Sequence, residues 1–184
     1  MERQEVALGG FGGQGIILAG YIIGQAVSVY DKKNAVLIQD YGPEARGGAC
    51  RAQVVIEDRS ISYPFMENPS VLAVMSQEAY TKYVPSLRNH APLLIDSTLV
   101  KITNPNGFKV YSIPATAIAK EVGKTAVANT VMLGFLTAIT KITQPEAMKK
   151  AVLASVPKGT EELNLKAFER GYGEGMRQLK AKLN

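Results

Sequence analysis

The residues best suited to binding chemistry lie in two glycine-rich stretches. Residues 9–15 read Gly-Gly-Phe-Gly-Gly-Gln-Gly, after the apolar run Val6-Ala7-Leu8 and before a helical pattern starting near Ile16. Glycine serves where backbone must take positive φ or approach another group closely. A strand, such a loop and then a helix presents free backbone N–H groups at the positive end of a helix dipole, a place suited to phosphate. Gly10, Gly12, Gly13, Gln14 and Gly15 carry the GxGxxG pattern of dinucleotide sites. That reading asks for a ribose-binding acid ending the second strand, where Asp40 stands ~25 residues on rather than ~20. The other reading is that the glycines permit only a tight turn and close helix–sheet packing. The pattern leaves both open.

The second stretch is Asp40-Tyr41-Gly42-Pro43-Glu44-Ala45-Arg46-Gly47-Gly48-Ala49. It leaves the carboxyl end of the second strand, the edge at which open α/β sheets bind ligands. Glu44, Arg46 and Arg51 can pair with one another, clamp an anionic group or cross a subunit interface. Arg46 beside Gly47 and Gly48 suits a guanidinium that lies flat and close to something. Other candidates carry less. His90, the single histidine, sits in the turn Arg88-Asn89-His90-Ala91, and Cys50 reads as a buried small residue. Asp96-Ser97-Thr98 ends a strand and suits a cap, and Asn129 suits the cap of a helix beginning at Thr130. The sequence offers no nucleophile–base–orienter set, no paired catalytic carboxylates and no metal-ligand cluster.

The elements that position these loops follow from periodicity. Val6–Leu8 reads as a first buried strand. Ile16, Ala19, Ile23, Ala26 and Tyr30 recur at helical spacing, and Ala35–Ile38 reads as a second strand. Together they predict a βαβ unit with a parallel pair and right-handed crossover. Gln53–Ile56 and Ile61–Tyr63, around Glu57-Asp58-Arg59-Ser60, predict an inserted β-hairpin. Val71–Met75, Leu93–Ile95 and Val110–Ile113 predict further strands, with helices over 77–87, 116–122 and 129–142. Thr143-Gln144-Pro145-Glu146 predicts a capping-box start to a helix ending before Pro157. The last helix carries Leu165, Phe168, Tyr172, Met176, Leu179 and Leu183 on one stripe, with Gly171, Gly173 and Gly175 weakening it locally. The fold class is therefore α/β: a doubly wound, mostly parallel, Rossmann-like sheet with an inserted β-hairpin and a C-terminal helical segment. Residues 1–184 are expected to form one domain.

Composition narrows the function classes. The chain has 184 residues, 46% of them hydrophobic and 20% charged, as in soluble globular proteins. The formal net charge of +5 fits acidic partners, anionic cofactors or a thermostable surface, but no basic block points to nucleic acid. One cysteine supplies no disulfide, no CxxC metal site and no iron–sulfur ligand set, and fits a reducing cytoplasm. No apolar run approaches the ~20 residues of a membrane span, and the charged start leads straight into a strand without a signal peptide.

Several motifs occur in order: residues 10–15, Tyr-Gly-Pro-Glu-Ala-Arg-Gly-Gly at 41–48, and Ile61-Ser62-Tyr63-Pro64. Met75-Ser76-Gln77-Glu78-Ala79-Tyr80 and Asn129-Thr130-Val131-Met132-Leu133-Gly134 follow. The set resembles the gamma subunit of the 2-oxoacid:ferredoxin oxidoreductases, most closely the 2-oxoglutarate branch, from Gln4 to about Gly175. The resemblance implies a complex that decarboxylates a 2-oxoacid oxidatively, passing the acyl group to coenzyme A and electrons to ferredoxin. It implies thiamine diphosphate and Mg²⁺ on alpha and beta subunits, and iron–sulfur clusters on a beta or delta subunit. No cofactor is expected on this chain alone, which would complete the assembly beside the active-site cleft. On that reading the two loops (Gly10, Gly12, Gly13, Gln14, Gly15; Tyr41, Glu44, Arg46, Gly47, Gly48, Arg51), with Asn129, are binding or subunit-interface positions. Arg46 or Arg51 would reach an anionic group. The rival expectations are a stand-alone dinucleotide- or flavin-binding protein and a purely structural scaffold.

Overall fold

A computed structural model describes residues 3–41, 48–103 and 107–182. The strands are β1 (Gln4–Phe11), β2 (Asn34–Tyr41), β3 (Ala49–Glu57), β4 (Val71–Val74), β5 (Pro92–Asp96) and β6 (Lys109–Ile113). The helices are α1 (Ile16–Gln25), α2 (Gln77–Tyr83), α3 (Ala115–Val122), α4 (Ala128–Thr140), α5 (Pro145–Ser155) and α6 (Glu161–Ala181). One sheet runs in the order β2-β3-β1-β4-β5-β6, with β1, β4, β5 and β6 in a parallel ladder. β1 and β4 are buried on both faces, which is why they read as unbroken apolar runs rather than alternating ones.

The mostly parallel α/β sheet is as expected, but two connections differ. β1 and β2 point the same way yet are not neighbours, because β3 lies between them and runs antiparallel to both. The inserted hairpin is therefore the antiparallel pair β2–β3, not a hairpin over 53–63. Glu57–Ser60 leads out of the sheet. Beyond it, the carbonyls of Tyr63 and Phe65 accept hydrogen bonds from the Arg3 guanidinium at 2.7 and 2.9 Å, so a side chain replaces the ladder a strand would use. At α5 the expected capping box does not form. The Thr143 hydroxyl donates instead to Asp31 Oδ2 at 2.5 Å, and Pro145 opens the helix with its preset φ.

Helices flank both faces. α1, α4 and α5 contribute to the larger core with Leu8, Val54 and Leu94, while α2 covers the other face over Leu72, Val74 and Leu93. α4 is buried from Ala128 to Ala138 because α6 lies across its outer side. The buried face of α6 consists of Asn164, Ala167, Phe168, Gly171 and Gly175 rather than the predicted apolar stripe. Leu165, Tyr172, Met176 and Leu179 are only half-buried flanks, and Leu183 lies outside the described residues. A Cβ at Gly171 would collide with the carbonyl oxygen of Val131, one at Gly134 with that of Phe168, and one at Gly175 would sit 2.6 Å from Ala138 Cβ. Two of the glycines expected to weaken α6 are thus what allow its backbone to meet that of α4. Among the described residues no helix is long and apolar enough to cross a membrane.

This contact separates glycines that look alike in the sequence. Gly171→Ala is expected to destabilise the fold, because overpacking costs about 1–3 kcal/mol or more and exceeds the ~1 kcal/mol that alanine gains in helix propensity. At exposed Gly173 a Cβ meets nothing within 4 Å, so Gly173→Ala should stabilise by up to ~1 kcal/mol. Thermal unfolding of the two variants checks the opposite signs.

Candidate functional site at the carboxyl edge of the sheet

The first glycine loop is a strand end followed by a turn. β1 continues through Gly9 and Gly10 to Phe11. A Cβ at Gly9 would lie 2.8 Å from Tyr83 Cδ2, and one at Gly10 would strike the Gln14 amide and the Ile16 side chain. These two glycines thus serve packing, one on each face of the sheet. Gly13 (φ 98°) and Gly15 (φ 72°) adopt the left-handed conformation that lets the chain turn into α1. Gly12 and Gly13 face open space.

Gln14 closes the turn from within. Its Oε1 accepts the Phe11 N–H at 2.9 Å and its Nε2 donates to the Met75 carbonyl at 2.7 Å. Asn129 braces the far side: Nδ2 donates to the Gly15 carbonyl at 3.2 Å, while Oδ1 accepts the Thr130 N–H at 2.9 Å. The chain continues from the Thr130 hydroxyl to Asn164 Oδ1 at 2.8 Å, and from Asn164 Nδ2 to the Thr160 carbonyl at 3.0 Å. Asn129 lies inside α4 rather than capping it; Val127 precedes the helix with no side-chain cap. Its amide is committed to Gly15 and to the adjoining backbone.

The second loop leaves and re-enters at the same edge. Tyr41 is 65% exposed, its hydroxyl on Gln39 Oε1 at 2.7 Å. Gly48 and Arg51 are described, whereas Glu44, Arg46 and Gly47 lie outside the described residues. Ala49, the first residue of β3, is held at both backbone polar groups. Its N–H donates to Glu78 Oε1 at 3.1 Å and its carbonyl accepts the Tyr83 hydroxyl at 3.1 Å. Arg51 pairs with Asp40 across the β2–β3 ladder at 3.2 Å and lies 4.9 Å from the centre of the Tyr83 ring. Burial and the nearby Asp40 carboxylate push the Tyr83 hydroxyl up to about 12, so it remains a donor at neutral pH. Burial also raises the Cys50 thiol, away from the reactive thiolate.

This geometry counts against the dinucleotide reading. Asp40 is ion-paired to Arg51 and stands two strands from β1, so β3 separates it from the glycine turn by two strand spacings, ~10 Å. Asp96, fully buried, takes the Thr98 N–H at 3.0 Å and the Thr116 N–H at 3.1 Å, a structural cap. Beside the glycine turn a cleft of about 400 Å³ is lined by Phe11, Gly13, Gln14, Leu99, Thr116 and Thr125, among others. A larger groove of about 720 Å³ lies at the opposite end of β1, beside Arg3, Tyr63 and Arg88, and holds none of the expected residues. Among the described residues no three His, Cys, Asp or Glu side chains cluster as metal ligands.

Glu78 and Tyr83 were not among the candidates from the sequence. A usable signal was present. Ser76 caps α2 directly after β4, its hydroxyl accepting the Ala79 N–H at 3.2 Å. The cap fixes Ala79 and Tyr83 on one face, four residues apart, turned toward Gly9.

Comparison with known proteins gives the family of the chain. The model of the pyruvate ferredoxin/flavodoxin oxidoreductase family matches residues 5–174. The chain is 51% identical over 173 residues to the 2-oxoglutarate synthase subunit KorC of Methanocaldococcus jannaschii, covering 92% of each chain. It is 47% identical to the protein of that name from Methanothermobacter thermautotrophicus, covering 92% of this chain and 93% of the other. Among solved structures, the gamma subunit of a keto/oxoacid ferredoxin oxidoreductase from Geobacter sulfurreducens superposes with a TM-score of 0.89 at 40% identity. That match covers 96% of this chain and 98% of the other. The two loops, the α2 segment between them and the Asn129 brace are thus the carboxyl edge of a chain that belongs to the pyruvate ferredoxin/flavodoxin oxidoreductase family.

Proposed function

We propose that this chain is the gamma subunit of a 2-oxoglutarate:ferredoxin oxidoreductase, with residues 1–184 forming one gamma-type domain in the cytoplasm. The observation that carries the reading is the 51% identity to a 2-oxoglutarate synthase subunit over nearly the whole of both chains. The partners are alpha and beta subunits holding thiamine diphosphate and Mg²⁺, a delta subunit, and ferredoxin as electron acceptor. Thiamine diphosphate supplies the decarboxylation chemistry, iron–sulfur clusters elsewhere in the complex carry the electrons, and coenzyme A takes the acyl group. The residues of this chain fit a supporting role toward those groups. Its single cysteine is buried in β3 and cannot supply a cluster's thiolates.

Within that complex the carboxyl-edge loops border the cleft approached by coenzyme A. Gly10, Gly12, Gly13, Gln14 and Gly15 present a turn closed by its own side chain. Tyr41 and Gly48 stand at the two ends of the second stretch, whose Glu44, Arg46 and Gly47 we assign to the same cleft, and Asn129 braces the turn. Arg51 is committed to Asp40, so Arg46 is the residue of the pair assigned to the anionic group. A second reading, a scaffold without ligand contact, draws support from the internal pairing of Gln14, Asn129 and Arg51.

Co-expression with the adjacent reading frames, purification, and assay of coenzyme A-dependent viologen reduction across several 2-oxoacids tests the assignment. Co-purification with thiamine-dependent subunits and highest turnover on 2-oxoglutarate are expected; absence of such association would overturn it. In the assembled complex Arg46→Ala is expected to raise the KM for coenzyme A about tenfold, the ~1.4 kcal/mol of a modest charged contact. Unchanged kinetics in a normally assembled variant would favour the scaffold.

A further inference from the structure

We propose that Glu78 and Tyr83 are positioning residues for the active-site cleft, acting through the backbone of Ala49; this rests on the cleft-lining reading above. The segment from Met75 to Tyr83 touches both carboxyl-edge loops. Toward the first, the Met75 carbonyl accepts the Gln14 amide at 2.7 Å, and the Met75 N–H donates to the Gly9 carbonyl at 2.8 Å. Ala79 and Tyr83 lie where Gly9 leaves room for them. Toward the second, Glu78 and Tyr83 take the N–H and the C=O of Ala49, the first strand residue after the loop.

Chemistry gives the two contacts different weights. Glu78 is exposed, yet its carboxylate accepts a backbone N–H, a charge-assisted bond of the stronger class. Tyr83 is 3% exposed, and its ring fills the space between Gly9 and the Arg51 guanidinium while its hydroxyl reaches Ala49. Because α2 is short and capped at Ser76 directly after β4, a shift of either loop is felt by the same rigid turn. Glu78 and Tyr83 therefore fix the root of the second loop relative to the first. Neither side chain need touch substrate.

The test uses the assembled complex with Glu78→Ala, Glu78→Gln, Tyr83→Phe and the Glu78→Ala/Tyr83→Phe double variant. Glu78→Ala is expected to raise the KM for coenzyme A about tenfold with kcat little changed, the size of one lost charge-assisted hydrogen bond. Glu78→Gln, whose neutral amide oxygen still accepts, should recover much but not all of the wild-type value. Tyr83→Phe keeps the ring and should cost less, and the double variant should be non-additive because both groups hold one residue. Hydrogen exchange at the Ala49 amide should quicken in Glu78→Ala and much less in Glu78→Gln. Wild-type KM in the assembled variants, losses that merely follow lost assembly, or unchanged Ala49 exchange would each overturn the proposal. An inactive wild-type complex would instead overturn the functional assignment, and the exchange measurement would still decide the role of Glu78.

Discussion

Gly134, Gly171 and Gly175 let two helices meet backbone to backbone, and much of the candidate site hangs on that contact. With α4 and α6 this close, Thr130 reaches Asn164 across the seam, and Asn164 returns to Thr160, the residue that precedes α6. Beside Thr130, Asn129 reaches out to the Gly15 carbonyl. The glycine turn is therefore braced through two layers of helix rather than by its own residues alone. Added methyl groups at the seam would push α6 outward and stretch these polar links, because close-packed interiors pass strain on instead of absorbing it.

The residue types at the carboxyl edge look like a ligand site, yet most of the described polar groups there are turned inward. Gln14 satisfies Phe11 and Met75, Arg51 satisfies Asp40, and Asp96 collects the backbone at Thr98 and Thr116. An edge whose polar groups are already paired is pre-organised; it offers shape and a fixed backbone rather than reactive side chains. That suits the supporting role proposed above for this chain.

Much of this architecture was legible in the sequence. The buried strands announced themselves as continuous apolar runs, and the turn at Gly12–Gly15 by a glycine density no regular element tolerates. The failures have physical causes. Periodicity gives the direction of β1, α1 and β2 but not what comes between the strands, so β3 reads as the first arm of a hairpin with 61–63 when it is the second arm of one with β2. Its true partner strands lie on either side, β2 before it and β1 far earlier in the chain. Gly171 and Gly175 read as helix weakeners because propensity is a local quantity, whereas their use is set by a helix some 40 residues away. The cap at Ser76 marks the helix that carries Glu78 and Tyr83, but not the Ala49 backbone atoms that they hold, which leave no mark in a sequence.

The place of β1 has a further consequence, for how the chain reaches this fold. Gln4 pairs with Ile56 and Val6 with Val71, so both neighbours of the central strand lie far along the chain. During synthesis β1 and α1 emerge before β3 and β4, so Val6, Ala7 and Leu8 lack these partner strands until both have followed. Closing such long loops before any contact rewards them is slow. A strand buried on both faces in the finished fold is thus, for a time, an exposed apolar segment.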